Sequence, residues 1–271
     1  MIILITNDDG VNTLGIRLLA EWAKKLGEVT VVAPKVEQSG KSHAIEFVRE
    51  VEIKKVPLLD GVEVYSMDST PADCVRFGFS GLNRTYDLVL SGINKGVNVG
   101  ADLVYSGTVG AIFEAARFGV PAIAFSAFPD GQEAAAKYFD EAYNYIVKNN
   151  LIAENPLYNV NIPREVKGIR MTQQGSAYFS DYFIKLEGDM YLQNGDPIPD
   201  ELPEDLNRDT VAINSGYISI TPLLTTRTNM EVFHKYKTVN DTANYKTGNT
   251  KEHPHQGEKR ADLPHEIEKA I

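Results

Sequence analysis

The chain opens Met1-Ile2-Ile3-Leu4-Ile5-Thr6-Asn7-Asp8-Asp9-Gly10, an apolar run that ends in a polar turn. Ile2 to Thr6 is a short, unbroken, largely β-branched apolar run. That is the pattern of a strand buried on both faces, not of one alternating between core and solvent. It breaks abruptly at Asn7. In an open α/β sheet, ligands bind in the crevice outside the carboxyl ends of the strands, which is where Asp8 and Asp9 fall. Two neighbouring carboxylates repel, and burying them is costly unless a cation sits between them. Adjacent side chains of a straight strand point apart, so only the turn that Gly10 permits would aim both acids at one point. The same tetrapeptide also reads as ordinary turn chemistry with both acids in water.

Working outward, Ile16, Leu19, Trp22 and Leu26 recur at helical spacing and Gly27 supplies a stop. Val29–Ala33 is a second buried strand, ended by Pro34. Further strands are expected at Val51–Val56, Val62–Ser66, Asp87–Ser91, Pro121–Phe125 and Leu157–Ile162. Thr70-Pro71-Ala72-Asp73 carries a helix start: a capping threonine, a proline at the first position and an acid at the third. Ser106-Gly107-Thr108 opens another helix running through Ala111, Ile112, Ala115, Ala116 and Phe118 to Gly119, and Ala134–Val147 reads as one more. Strands alternating with helices predict an α/β fold, a doubly wound and mostly parallel sheet, over residues 1–163.

Residues 164–236 differ. Tyr178, Phe179, Tyr182 and Phe183 cluster in a poorly periodic stretch, a Pro/Asp-rich loop spans Asp196–Pro203, and Tyr217–Pro222 alternates like a strand. This aromatic, β-rich extension reads either as an oligomerisation arm or as packing on its own core. Large apolar residues become rare over 237–271, which predicts a polar, loosely ordered tail.

Composition narrows the function. The 271 residues are 43% hydrophobic and 24% charged, an ordinary globular balance. The single cysteine, Cys74, excludes an internal disulfide and a cysteine-built zinc site, which suits a reducing, cytoplasmic setting. The apolar opening is too short for a signal peptide, and no run of about 20 apolar residues is present to cross a membrane. A formal net charge of −10 opposes broad binding to polymeric nucleic acid or to anionic membranes. A small ligand held locally is expected instead.

Three further segments bear on chemistry. Gln38-Ser39-Gly40-Lys41-Ser42-His43 follows the second strand; it resembles the end of a P-loop, but Lys35 stands where that motif needs glycine. It reads as a polar active-site loop or as a solvated connection. Ser91-Gly92-Ile93-Asn94-Lys95-Gly96-Val97-Asn98-Val99-Gly100 places a glycine at every fourth position, which frees the backbone for close approach to a ligand but does not fit the dinucleotide fingerprint. Asn94 and Asn98 offer neutral groups suited to a hard cation or a phosphate. Ser106, Gly107 and Thr108 present a helix N-terminus, where exposed N–H groups favour an anion, although serine and threonine are also the usual caps. All of these elements converge on one rim of the sheet, where acids, Gly/Asn loops and a helix start together describe a site for a metal-bound phosphate.

Several blocks resemble the SurE family of stationary-phase survival proteins. They are Ile5-Thr-Asn-Asp-Asp-Gly10, Ala33-Pro34 with Ser39-Gly40, Thr70-Pro-Ala-Asp-Cys-Val75, Ser91 to Gly100, Tyr105-Ser-Gly-Thr-Val-Gly110 and Ser219-Ile-Thr-Pro-Leu223. Two positions depart from the family pattern: Ser69 stands where glycine is usual, and Tyr158 where leucine commonly precedes the asparagine. The resemblance implies a Rossmann-like core with a C-terminal extension exchanged between subunits, in a homodimer or homotetramer. It implies hydrolysis of nucleoside 5′- and 3′-monophosphates, and in some members of short polyphosphate. It also implies one divalent cation, Mg²⁺ or Mn²⁺, carried here by Asp8, Asp9, Ser39 and Asn94.

The chemistry expected is in-line phosphomonoester hydrolysis, with Asp8, Asp9 and Asn94 catalytic. Ser39, Gly40, Gly92, Asn98, Ser106, Gly107 and Thr108 would contact the substrate and its phosphate. Attack by water or through an aspartyl-phosphate both stay open, and water is favoured because the Asp-x-Asp spacing of aspartyl-phosphate enzymes is absent. His43 is a candidate proton donor. The rival readings are an NAD-type or sugar-nucleotide enzyme, which the missing fingerprint opposes, and a non-catalytic nucleotide- or metal-binding regulator.

Overall fold

The computed structural model describes residues 1–237; the rest of the expected polar tail lies outside the described residues. Nine strands form one sheet in the order β3-β4-β2-β1-β5-β6-β7-β11-β8. The strands β1 (Ile2–Thr6), β2 (Glu28–Pro34), β4 (Glu63–Met67), β5 (Leu88–Lys95), β6 (Ala122–Ala127) and β7 (Leu157–Ile162) run parallel to one another. The edge strand β3 (Ile53–Lys55) is antiparallel to β4, and β11 (Tyr217–Pro222) is antiparallel to β7 and parallel to β8 (Gly168–Met171).

The unbroken apolar run of β1 feeds two cores. Ile3 and Ile5 join the cluster beneath α1 (Leu14–Ala23) and α5 (Phe139–Lys148), while Leu4 joins the opposite cluster beneath α2 (Pro71–Arg76) and α3 (Gly107–Arg117). Alternate side chains thus reach opposite faces, and both faces are covered, which is why this strand needs no polar side. From β1 the chain moves to β2 on one side and later to β5 on the other, so the winding reverses between β1 and β5. The carboxyl ends of these two strands flank the crevice where such sheets bind ligands.

Local signals place most elements within a residue or two. Three expectations change. The helix predicted over Ala134–Val147 is two helices, α4 (Gln132–Ala136) and α5; bonds from Lys137 N to Ala134 O and from Tyr138 N to Ala135 O close the first. The redirected chain buries Phe139 against Trp22, 5.2 Å away between ring centres, and Phe125, 5.1 Å away. The strand predicted over Val51–Val56 shrinks to β3. The sheet also continues past residue 163, because β11 and β8 extend it.

The compact unit holding the sheet spans Met1–Thr225. Within it, Tyr178 packs with Val99 and Ile213, whereas β9 (Tyr182–Lys185) and β10 (Tyr191–Asn194) form a separate antiparallel hairpin with every strand residue exposed. The aromatic cluster therefore divides between the core and an open surface. The second unit begins at Thr226 and holds a helix over Met230–Tyr236, whose cap Asn229 accepts from Val232 N at 3.0 Å. Among the described residues no helix is long and apolar enough to cross a membrane.

Candidate active site

Asn7 builds the turn that presents the two acids. Its Nδ2 donates to Gly10 O and to Thr13 Oγ1, each at 3.0 Å, and its Oδ1 accepts from Gly10 N at 3.2 Å. Gly10 takes φ +109°, a conformation that strongly favours glycine. The Asp8 carbonyl accepts from Gln38 N at 2.7 Å, which draws the Ser39 loop to the end of β1.

Asp8 is 4% exposed, and the hydroxyl of Thr108 donates to its Oδ1. A side chain at Gly107 would bring a Cβ to 3.0 Å from Asp8 Cβ and 3.1 Å from Oδ2, so the carboxylate rests against the first turn of α3. The helix N-terminus is thereby a cradle for Asp8 itself. The neighbouring Asp9 carboxylate turns to the other side of the crevice and accepts from Lys95 N at 3.0 Å.

Both acids are held above the usual carboxylate range. Burial raises Asp8, and the bonds from Thr108 only partly offset it. Burial, reinforced by the charge of Asp8, pushes Asp9 up to about 6. Two such neighbouring groups favour either protons or a cation.

The donor set fits a hard divalent cation. Asn94 spends its Nδ2 on Gly96 O at 2.8 Å, leaving its carbonyl oxygen for a cation, and Ser39 donates its hydroxyl hydrogen to Glu37 Oε1 at 2.7 Å while retaining its lone pairs. Asp8, Ser39 and Asn94 all line one cavity of about 510 Å³. No three His, Cys, Asp or Glu side chains gather at metal-holding spacing among the described residues. A cation here would therefore rest on two carboxylates and neutral oxygens, the ligand class of Mg²⁺ and Mn²⁺.

Gly40, Asn98 and Ser106 line the same cavity. Ser106 caps α3 by accepting from Val109 N at 3.0 Å. The Asn98 Nδ2 is engaged with Ser126 Oγ at 2.8 Å, and its backbone N–H with Asn161 Oδ1 at 2.8 Å. Asp9, Thr108, Gly107, Gly92 and His43 stand outside the cavity wall. Thr108 holds Asp8 rather than a phosphate. Gly92, at φ +124°, allows β5 to approach β6, since a Cβ there would lie 2.1 Å from Phe125 O. The Nε2 of His43 lies 2.7 Å from Glu114 Oε2.

Sequence reasoning missed several contributors. Lys95, Asp102, Phe179, Asp181 and Asn194 also line the cavity. Asp102 accepts from the backbone N–H of Tyr178 and Phe179 at 2.8 and 2.9 Å, fastening the extension to the site. Asp209, fully buried, accepts from Gly100 N at 3.1 Å and Gly175 N at 2.7 Å. Asn159 and Asn161, buried in β7, donate to Asn98 O at 2.8 and 2.9 Å. Polar amides on one face of an otherwise apolar strand were the visible signal for these two.

A family model described as "Survival protein SurE" matches residues 3–181. A 5′-nucleotidase SurE of Thermoanaerobacter sp. (strain X514) is 40% identical over 232 residues, covering 82% of this chain and 92% of its own length. One from Clostridium botulinum (strain Loch Maree / Type A3) is 37% identical over 248 residues, covering 87% and 97%. The crystal structure of a SurE protein from Aquifex aeolicus matches with a TM-score of 0.75 at 35% identity, covering 89% of this chain and 100% of that one. The family model and the relatives, spanning most of the chain, establish that it belongs to the SurE family.

Proposed function

We propose that this protein is a metal-dependent phosphatase that hydrolyses nucleoside 5′-monophosphates, and 3′-monophosphates by the same approach. It is a phosphoric monoester hydrolase of the 5′-nucleotidase type, the activity in the names of its relatives. The observation that carries the metal reading is the adjacent pair of buried Asp8 and half-buried Asp9 at the β1/β5 switch point, both held above the usual carboxylate range.

Mg²⁺ or Mn²⁺ bound at Asp8, Asp9, Ser39 and Asn94 would polarise the phosphoryl oxygens and offset the charge that develops during displacement. Thr108 orients Asp8, and the backbone N–H of Lys95 orients Asp9. Lys95 lines the same cavity, which supports pairing of its ammonium with a phosphate oxygen. Asp8 is enclosed by Thr108 and Gly107 and is poorly placed to attack, which supports water as the nucleophile. A bond forms from the water oxygen to phosphorus as the ester P–O bond breaks; the water gives up one proton, the departing ester oxygen takes one, and the nucleoside leaves as its alcohol.

The exposed hairpin β9–β10 supports a homodimer or homotetramer, and the buried, unpaired Cys74 suits a cytoplasmic setting. The test is release of phosphate from AMP, GMP, 3′-AMP and tripolyphosphate, with and without chelator, beside Asp9→Asn. Turnover of the monophosphates that chelator and substitution abolish is expected. Turnover indifferent to both overturns the mechanism, and nucleotide binding without turnover supports a regulator instead.

A further inference from the structure

Residues 35–52, which carry Ser39, contain no helix or strand, yet the loop is tied down at several points. Ser42 N donates to Tyr105 O at 3.0 Å and Ser42 Oγ to Val104 O at 2.7 Å, while Glu46 N donates to Asp73 Oδ2 at 2.7 Å. Between these ties the loop lies on α3. A Cβ on Gly110 would come within 2.3 Å of Ser42 O, so the missing side chain makes room for the loop. One turn along the same helix face, Glu114 receives His43 at 2.7 Å.

Glu114 is 1% exposed. Its Oε1 faces Arg76 at 3.4 Å and Arg117 at 3.5 Å, which leaves Oε2 to His43. Burial works against its charge, but the bond from His43 and the nearby cations outweigh it and hold the carboxyl below its usual range. A buried carboxylate so satisfied is a fixed anchor, because removing a partner leaves charge unpaired in a poorly solvated place.

We propose that Glu114 is a positioning residue which, through His43, locks the Ser39 loop onto the helix whose first turn holds Asp8. The two sides of the cation site are then referenced to one rigid element: Asp8 through Thr108, and Ser39 through His43 and Glu114. The inference rests on the proposed metal-dependent function. It also gives His43 a role other than proton donation, since its Nε2 is spent on Glu114.

The test measures Mn²⁺ binding by calorimetry on the full chain, together with KM and kcat for AMP, in His43→Ala, Glu114→Ala, Glu114→Gln and the double alanine variant. Loss of an outer partner of a metal site typically weakens metal affinity about 10- to 100-fold. Each alanine variant is expected to weaken Mn²⁺ binding by about tenfold, with the double variant no worse than either single one. Glu114→Gln keeps an acceptor for His43 and is expected to stay within about threefold of wild type, and kcat at saturating Mn²⁺ should change less than affinity. Should Glu114→Ala fail to fold, His43→Ala decides, since His43 sits on the loop outside the core. Unchanged Mn²⁺ affinity in folded His43→Ala, or additive losses in the double variant, overturns the proposal. A wild-type protein that neither binds Mn²⁺ nor releases phosphate would instead overturn the functional reading beneath it.

Discussion

The hydroxyl of Thr108, in the first turn of α3, donates to the carboxylate of Asp8, at the end of β1 and 100 residues earlier in the chain. This bond converts a helix start into a support for a metal ligand. Thr108→Val removes the donor while keeping the shape. A buried acceptor left unsatisfied costs about 1–3 kcal/mol, so weaker Mg²⁺ activation and roughly tenfold or greater loss of kcat/KM are expected. Thr108→Ser should restore most of it, and a Mg²⁺ titration of AMP hydrolysis reads both.

Gly107 tests the same contact by sterics. Its Cβ would meet Asp8 Cβ at 3.0 Å. Alanine is acceptable in a helix, so Gly107→Ala should leave the melting temperature within a few degrees yet reduce activity about tenfold or more by displacing the carboxylate. Wild-type kinetics in this variant would show that Asp8 need not sit against the helix.

Asp9 sets a pH dependence. Its carboxyl is raised from 3.8 to about 6 in the fold, so the folded protein holds the proton more tightly than the unfolded chain. The metal-free protein should therefore lose stability as pH rises from about 4 through about 6. Divalent cation should restore it over the same window, because the ligand must be deprotonated to bind. At a hundredfold excess over Kd, ligand stabilisation is about 2.7 kcal/mol, or about 5–10 °C for a domain of this size. Thermal melts of wild type and Asp9→Asn, with and without Mg²⁺ at pH 4.5 and 7.5, decide it. Asp9→Asn should lose the part of the pH trend that Asp9 contributes, leaving that of Asp8, and most of the shift.

Asn161 exchanges two hydrogen bonds with the Asn98 backbone. Asn161→Ala leaves the part-buried Asn98 N–H unpaired while its carbonyl keeps Asn159, which predicts destabilisation of about 1–3 kcal/mol. The loop carrying Asn94 should loosen with it, raising KM for AMP and the Mg²⁺ requirement together. A stability loss with unchanged kinetics would confine the residue to a structural role.

The hairpin exposes Phe183 and Met190, each 66% accessible, and Tyr191. Phe183→Lys with Met190→Lys is expected to shift the protein to a smaller species on a sizing column at micromolar concentration. An unchanged elution volume would remove the hairpin from the proposed subunit contact.

Much of the fold was legible because its signals are local. The run Ile2–Thr6, the cap at Thr70 and the cap at Ser106 each depend on a few adjacent residues, and the structure has Thr70 accepting from Asp73 N and Ser106 from Val109 N. The Ala134–Val147 helix was misread as continuous because the break serves Phe139, whose partners Trp22 and Phe125 lie in other elements. The cavity's hairpin side was not legible, since nothing near Phe179 or Asp181 indicates which surface they face.

Local patterns in the chain are enough to locate the acids, the glycine-rich loop and the helix start, and to put them on the carboxyl rim of a parallel sheet. Strand burial, turns and caps follow from neighbouring residues, so their placement needs no knowledge of distant ones. What each polar side chain does there depends on contacts between distant segments. Thr108 supports Asp8, Asn98 is tied to β7, and His43 faces Glu114, with partners 100, 63 and 71 residues away. A hydroxyl, amide or imidazole serves equally well as cap, ligand or strut, and the choice among these is made by whichever partner the packed sheet and helices bring within about 3 Å.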